Sequence, residues 1–283
     1  MIPAEFDYLR PLSVQNAVTW LAEAGEEAKV LAGGQSLLPL LRLRLAYPEV
    51  LIDLDRVEEL REITEDDSSI TIGAMATHHA VVHSDLVREH APLVAKAAAT
   101  VADPAVRHRG TFGGSLAHAD PAGDLPAVVL ALDGTFLTAS PRGVREIPAA
   151  GFFVDYLTTA LEGDELLTGV RIPKLGSGWK AHYEKFHRTA QAWAIVGVAC
   201  AVRREQGIIE DSRIALTNMG PTPVRAHSVE RALSGSTATA SSFRSAASRL
   251  DNVDPPSDLH GSSEYRRHLV QVLTARALGR AAV

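Results

Sequence analysis

Apolar residues recur at helical spacing early in the chain: Ala17, Leu21 and Ala24 follow Ser13, whose hydroxyl can cap a helix, and Gly25 can stop it. The short apolar run Lys29-Val30-Leu31-Ala32 then reads as a strand feeding Gly33-Gly34-Gln35-Ser36. Residues 50–54 read as a second strand, and residues 69–73, with an alternating pattern, as a third. Thr77 is placed to cap a long helical region that reaches Val101 with a break at Pro92. Residues 128–132 and 135–138 read as the two arms of a hairpin around Asp133-Gly134, and residues 167–172 as a strand ended by Pro173.

The stretch Gly176-Ser177-Gly178 is the best candidate boundary. Beyond it, residues 194–203 and 208–217 predict two strands joined by a turn at Gln206-Gly207. Two or three helices follow, one of them across residues 264–278, while the Ser-, Thr- and Ala-rich residues 234–242 read as a loop or a helix cap. The pattern predicts an α+β protein with a larger N-terminal domain, residues 1–176, and a smaller α+β C-terminal domain, residues 177–283.

Composition narrows the function. A chain of 283 residues with 46% hydrophobic and 22% charged residues can bury a full core. A formal charge of −6 and an isoelectric point near 6.0 argue against nucleic acid as a partner, because phosphate backbones select basic surfaces. They leave room for a nucleotide cofactor, whose pyrophosphate can rest on backbone N–H groups. The longest apolar candidate, residues 194–202, is of strand length, so an integral membrane protein is not expected. The N-terminus lacks the basic region and apolar core of a secretory signal, which points to the cytoplasm. Cys200 is the single cysteine, so any iron–sulfur cluster must belong to another chain. His79 and His83 are four apart, and His118 lies near Asp120, yet no third ligand has suitable spacing, so no metal site is expected.

Chemistry concentrates in two glycine pairs, Ala32-Gly33-Gly34-Gln35-Ser36 and Thr111-Phe112-Gly113-Gly114-Ser115. Paired glycines can adopt positive φ and let an anion approach the backbone, with the hydroxyls of Ser36, Thr111 and Ser115 beside them; equally, each pair can be a tight turn. Neither matches the P-loop or the G-x-G-x-x-G fingerprint, so a phosphate site here requires a different fold.

The first run continues as Leu37-Leu38-Pro39, and the second as Leu116-Ala117-His118-Ala119-Asp120-Pro121-Ala122-Gly123-Asp124-Leu125-Pro126. In these residues the chain resembles the FAD-binding medium subunit of molybdenum hydroxylases, a group that includes aerobic CO dehydrogenases and is similar to the flavin domain of xanthine dehydrogenase. The resemblance extends through Lys185-Phe186-His187-Arg188, Ala194-Ile195-Val196-Gly197-Val198-Ala199, Gly220-Pro221-Thr222-Pro223-Val224-Arg225-Ala226 and Glu264-Tyr265-Arg266-Arg267-His268-Leu269, covering essentially the whole chain.

It implies a two-subdomain FAD-binding domain of the vanillyl-alcohol-oxidase type, divided at about residues 1–55 and 56–176. The first glycine loop, from Val30 through Leu31, Ala32, Gly33, Gly34, Gln35 and Ser36 to Leu37, would wrap the pyrophosphate. Thr111, Gly114 and Ser115 match the second loop's contacts to the same group. Asp124 matches a carboxylate that binds the adenosine part, though an Asp before Leu125-Pro126 can also be a helix cap. Leu166 or Leu167 and Lys185 fall where the family lines the flavin, with a solvated lysine as the alternative for Lys185. Trp193 would either shield the flavin or pack in the core, and Ala192 stands where members often carry Asp. Gln35 replaces a His of some members, so FAD is expected to be non-covalent and dissociable. The chain itself would supply no catalytic residue and no metal ligand.

The partners implied are a large molybdenum-cofactor subunit and a small subunit with [2Fe–2S] clusters, assembled as a dimer of heterotrimers. The role implied is electron transfer from those clusters through FAD to an external acceptor. Two rival readings stand beside it. A self-sufficient FAD-dependent oxidoreductase would need its own acid or base aimed at the flavin, and the residues offer no clear set. A non-catalytic scaffold that kept the fold would be expected to lose the loop glycines or Asp124, and all are present.

Overall fold

The computed structural model describes residues 2–282. A three-stranded parallel sheet in the order Asp7–Leu9, Val50–Asp53, Ala28–Leu31 forms first. The helix Val14–Ala24 crosses between its strands. Ser13 caps it by accepting from the Asn16 N–H at 3.2 Å, and Gly25 ends it at φ +58°. Its buried face, Ala17, Val18 and Leu21, packs with Ile52, Leu54, Leu60, Met75 and Leu166, so the small sheet shares a core with the next unit of the chain.

That unit is an antiparallel sheet of five strands in the order Ile63–Glu65, Ser69–Gly73, Leu166–Pro173, Thr135–Ser140, Gly143–Pro148. Helices cover it around a core that includes Ile70, Ile72, Leu93, Phe112, Leu116, Phe136, Phe152 and Val170. The predicted long helix from Thr77 is three short ones. Thr77 caps His78–His83 through the Ala80 N–H at 3.1 Å, Ser84 starts Asp85–His90, and Pro92 is the first residue of Pro92–Ala98. The break at Pro92 is where it was expected; the one at Ser84 arises because its hydroxyl caps the next helix.

The predicted hairpin around Asp133-Gly134 is not formed. Residues 128–132 belong to or directly follow the helix Asp124–Ala131, every residue of which is buried, and Thr135–Ser140 pairs instead with Gly143–Pro148 and Leu166–Pro173. A helix enclosed on all sides loses its polar face, and its apolar run then reads like a strand.

The last sheet is antiparallel, in the order Trp179–Phe186, Val196–Glu205, Ile208–Thr217, Val224–Arg225. Gln206 and Gly207 turn its central hairpin with φ +49° and +83°, the two positive angles that match the twist of the flanking strands. The strand Trp179–Phe186 was absent from the sequence reading, although Ala181 and Tyr183 alternate with polar neighbours. Val196–Glu205 faces two cores at once. Val196, Val198, Cys200 and Val202 pack under the helix Ser263–Ala281 and its neighbours, while the small Ala199 and Ala201 pack with Ala181 and Tyr183 against the helices of the five-stranded unit. Burial on both faces explains an unbroken apolar run of strand length. Among the described residues no helix is long and apolar enough to cross a membrane.

Candidate functional site

A cavity of about 690 Å³ opens where the three larger sheets meet. It is walled by the first glycine loop, the start of the helix Phe112–His118, Leu166 and Leu167 at the start of the central strand Leu166–Pro173, Lys185, and the segment Gln191-Ala192-Trp193. Of the residues singled out in the sequence, Ala32, Gly33, Gly34, Gln35, Ser36, Leu37, Thr111, Gly114, Ser115, Asp124, Leu167, Lys185 and Trp193 all meet at this cavity. Leu31 does not line it; it closes the strand Ala28–Leu31 one residue before the loop begins.

The first loop is built for close approach. Gly34 has φ +73°, the left-handed conformation that glycine adopts without strain. A Cβ on Gly33 would lie 2.3 Å from the Arg109 carbonyl oxygen and 2.7 Å from the Gly110 Cα, so the two glycine segments can touch only because Gly33 has no side chain. The N–H groups of Gly33, Gly34, Gln35, Ser36 and Leu37 have no hydrogen-bond partner among the described residues. Five consecutive unpaired donors at a cavity wall form a concave anion cradle.

The second segment differs from its expected form. Gly113 and Gly114 lie in the first turn of the helix Phe112–His118, and neither has a positive φ. Gly113 is glycine because its Cβ would lie 2.5 Å from the Ala74 methyl carbon. The backbone donors here are already used: Phe112 donates to Ala76 O, Gly113 to Ala74 O, and Gly114 to the capping Thr111 Oγ1 at 3.1 Å. What remains for a ligand is the hydroxyl hydrogen of Thr111 and the side chain of Ser115.

Asp124 and Lys185 lie together, Asp124 not as a helix cap and Lys185 not as a surface lysine. Gly123, not Asp124, is the cap residue of the helix Asp124–Ala131. The Asp124 carboxylate is buried and accepts from the Tyr183 hydroxyl and from Lys185 Nζ, each at 2.7 Å. Lys185 also donates to Thr100 O at 3.1 Å and has a side chain 3% exposed, so it is no solvated surface lysine. Burial pushes the Asp124 pKa up, and the Lys185 ammonium and the hydrogen bonds from Lys185 and Tyr183 oppose that rise. Tyr183 was missed in the sequence; its hydroxyl is held between Asp124 and Thr217 Oγ1 at 3.2 Å. Gly197 makes room for it, since a Cβ there would lie 2.5 Å from that hydroxyl.

Trp193 is 54% exposed, which excludes a core role, and its ring centroid stands 6.5 Å from that of His118. His78, also unforeseen, lines the cavity while 3% exposed, with Nδ1 unpartnered among the described residues. Burial, aided by the nearby Arg107, lowers its pKa to about 4, so the ring is neutral at pH 7. His79 stacks on His108 at 3.9 Å, and among the described residues no group of three or more His, Cys, Asp or Glu is placed to hold a metal ion.

The volume, the row of free N–H groups, the added hydroxyls, and apolar walls from Met75, Leu166, Leu167 and Trp193 fit an extended dinucleotide with a planar ring. Residues 4–175 match the family described as the FAD binding domain in molybdopterin dehydrogenase, and residues 181–281 match the CO dehydrogenase flavoprotein C-terminal domain. The molecule is therefore a flavoprotein, with FAD as its cofactor.

The chain is 40% identical to the carbon monoxide dehydrogenase medium chain of Hydrogenophaga pseudoflava, covering 99% of this chain and 98% of that one. It is 38% identical to the 6-hydroxypseudooxynicotine dehydrogenase complex subunit alpha of Paenarthrobacter nicotinovorans, covering 99% and 96%. A solved carbon monoxide dehydrogenase from Hydrogenophaga pseudoflava, lacking the Mo-pyranopterin moiety of its molybdenum cofactor, superposes with a TM-score of 0.96 at 42% identity, covering 99% and 98% of the two chains. The chain belongs to the family of FAD-binding medium subunits of molybdenum hydroxylases and is an oxidoreductase subunit.

Proposed function

We propose that this chain transfers electrons within a heteromeric molybdenum hydroxylase, receiving them from [2Fe–2S] clusters of a small partner subunit and passing them through FAD to an external acceptor. A large partner subunit holding the molybdenum cofactor would oxidise the substrate, and the assembly would be a cytoplasmic dimer of heterotrimers. The observation that carries the reading is the run of N–H groups on residues 33–37 that have no hydrogen-bond partner among the described residues and line a cavity shared with Thr111 and Ser115. FAD supplies chemistry that protein side chains lack, taking up electrons singly and releasing them as a pair.

The chain's own residues bind and orient that cofactor. The backbone of residues 32–37 would hold the pyrophosphate, with the hydroxyls of Thr111 and Ser115 completing the cradle; Leu31 supports the loop from the strand behind it. Leu167 and Trp193 would flank the ring system. Asp124 and Lys185 act as one unit, since their direct pairing at 2.7 Å places both at the same point of the wall. Gln35 offers an amide where a histidyl link would need an imidazole, so FAD is held non-covalently. The cavity is walled by residues from both sides of the glycine-rich stretch 176–178, which we take as the domain boundary; Lys185 and Trp193 would then come from the C-terminal domain. The two relatives above belong to enzymes named for carbon monoxide and for 6-hydroxypseudooxynicotine, which agrees with substrate choice residing in a partner chain.

The first test is an absorbance spectrum of the natively purified chain, followed by titration of any apoprotein with FAD. Flavin bands at near-stoichiometric occupancy, released by denaturation, are expected. A folded protein with no bands and no uptake of FAD would remove the electron-transfer role. Co-purification of iron–sulfur and molybdenum subunits with a tagged chain tests the assembly, and its isolation as a lone, active oxidase would replace it with the self-sufficient reading.

A further inference from the structure

The matching segment near the C-terminus, Glu264 to Leu269, has no place in the cavity wall, yet its Arg266 is the largest fully buried side chain among the described residues. It lies on the helix Ser263–Ala281, donates through Nη1 to the Ile195 carbonyl, and is charge-balanced by Asp258, whose two oxygens accept from Nη2 at 2.6 Å. A buried guanidinium is costly unless paired and hydrogen-bonded, so its position directed at one backbone carbonyl requires an account.

Asn218 grips the same place. It follows the strand Ile208–Thr217 in the left-handed conformation, φ +64°, and is 8% exposed. Its side-chain amide donates to Ala194 O at 2.8 Å and to Ile195 O at 3.3 Å. Its backbone N–H donates to Pro121 O at 2.8 Å, in the turn that leads into Asp124. Two side chains from distant parts of the chain therefore fix the carbonyls of the two residues that directly follow Trp193. The same Asn218 ties that segment to the turn next to the Asp124–Lys185 pair.

We infer that Asn218 and Arg266 are positioning residues for the flavin site: they clamp Ala194 and Ile195, and the clamp holds the otherwise half-exposed Trp193 over the cavity, slowing FAD release. The inference rests on the FAD reading of the cavity and extends it to residues that do not touch the cofactor. A rigid anchor immediately after Trp193 limits its backbone to one position, and an indole carries few rotatable bonds of its own. Asn218 after the strand and Arg266 on the last helix then have a mechanical purpose in the cofactor site.

The experiment is a comparison of FAD dissociation rates from the full, FAD-loaded chain, followed by the rise of flavin fluorescence on dilution. Asn218→Gly keeps the left-handed backbone and removes only the amide. It is expected to release FAD about fivefold faster, equivalent to roughly 1 kcal/mol, about the net worth of the shorter of the two hydrogen bonds it removes. Asn218→Asp places a carboxylate against two carbonyl oxygens and is expected to release FAD faster still. Trp193→Ala is expected to release FAD at least as fast as Asn218→Gly, and the double variant Asn218→Gly/Trp193→Ala no faster than Trp193→Ala alone, because both act through the indole. Wild-type release from Asn218→Gly, unchanged release from Trp193→Ala, or effects that multiply in the double variant would each overturn the clamp. Failure of the wild-type chain to take up FAD would sink the flavin reading as well, so the two failures are distinguishable.

Discussion

His78 sets a defined acid sensitivity. The residue is 3% exposed, its Nδ1 has no partner among the described residues, and burial lowers its pKa from 6.5 to about 4. The unfolded chain therefore binds a proton as pH falls below 6.5, while the folded chain resists until about 4. A depressed histidine pKa contributes stability that is complete above the unfolded value and is lost as pH falls toward the folded one. Integrated over that window, the loss is about 2 kcal/mol by roughly pH 5 and about 3 kcal/mol by roughly pH 4. Against a typical total of about 5–15 kcal/mol this is a large fraction.

The assay is urea denaturation of the apoprotein at several pH values from about 7 to about 4, for wild type and for His78→Leu. Carboxylate titration is common to both proteins and cancels in the difference. The variant's stability should fall with pH by about 2–3 kcal/mol less than that of wild type across the window. Parallel pH profiles for the two proteins would show that His78 titrates normally and that its burial imposes no such coupling.

Four further outcomes follow from the same geometry. Asp124→Asn leaves the Lys185 ammonium buried without a counter-charge and should cost about 3–5 kcal/mol by denaturant unfolding, while Asp124→Asn/Lys185→Met should recover most of that loss; additive losses would refute pairing as the cause. Gly33→Ala should weaken FAD binding at least about tenfold in an equilibrium titration, because its Cβ meets backbone atoms of Arg109 and Gly110 that cannot give way without parting the loops; wild-type affinity would remove this contact from the site. Thr111→Val removes the cap of the helix Phe112–His118 and should lower stability by about 1 kcal/mol even without FAD, whereas Ser115→Ala should weaken FAD binding with apoprotein stability nearly unchanged, as measured by thermal melting with and without FAD.

Local chemistry made several parts of this protein legible. Ser13 and Thr77 start their helices because a side-chain oxygen within three residues satisfies a free N–H, and Gln206-Gly207 turns its hairpin because two positive φ angles suffice. The residues at the cavity were nameable for a related reason: glycine pairs beside hydroxyls, followed by a characteristic run, carry the family resemblance in a few contiguous positions. The strand Trp179–Phe186 escaped that reading: Ala181 and Tyr183 do alternate with polar residues, but its Lys, His and Glu masked the pattern.

Other features were decided only by contacts between distant residues. The apolar run before Asp133 could be strand or helix by its own pattern; enclosure from all sides made it the helix Asp124–Ala131. Gly113 looked like a loop glycine until Ala74 came within 2.5 Å of where its Cβ would be. Asp124 and Lys185 are 61 residues apart, and nothing local says that they neutralise each other. Sequence by itself determined where the chain turns, which segments are apolar and which family they resemble, since those depend on neighbouring residues and intrinsic conformational preference. Tertiary structure decided which charges pair, which histidine is stripped of water and which carbonyls are clamped, because burial and long-range hydrogen bonds exist only once the sheets have closed on one another.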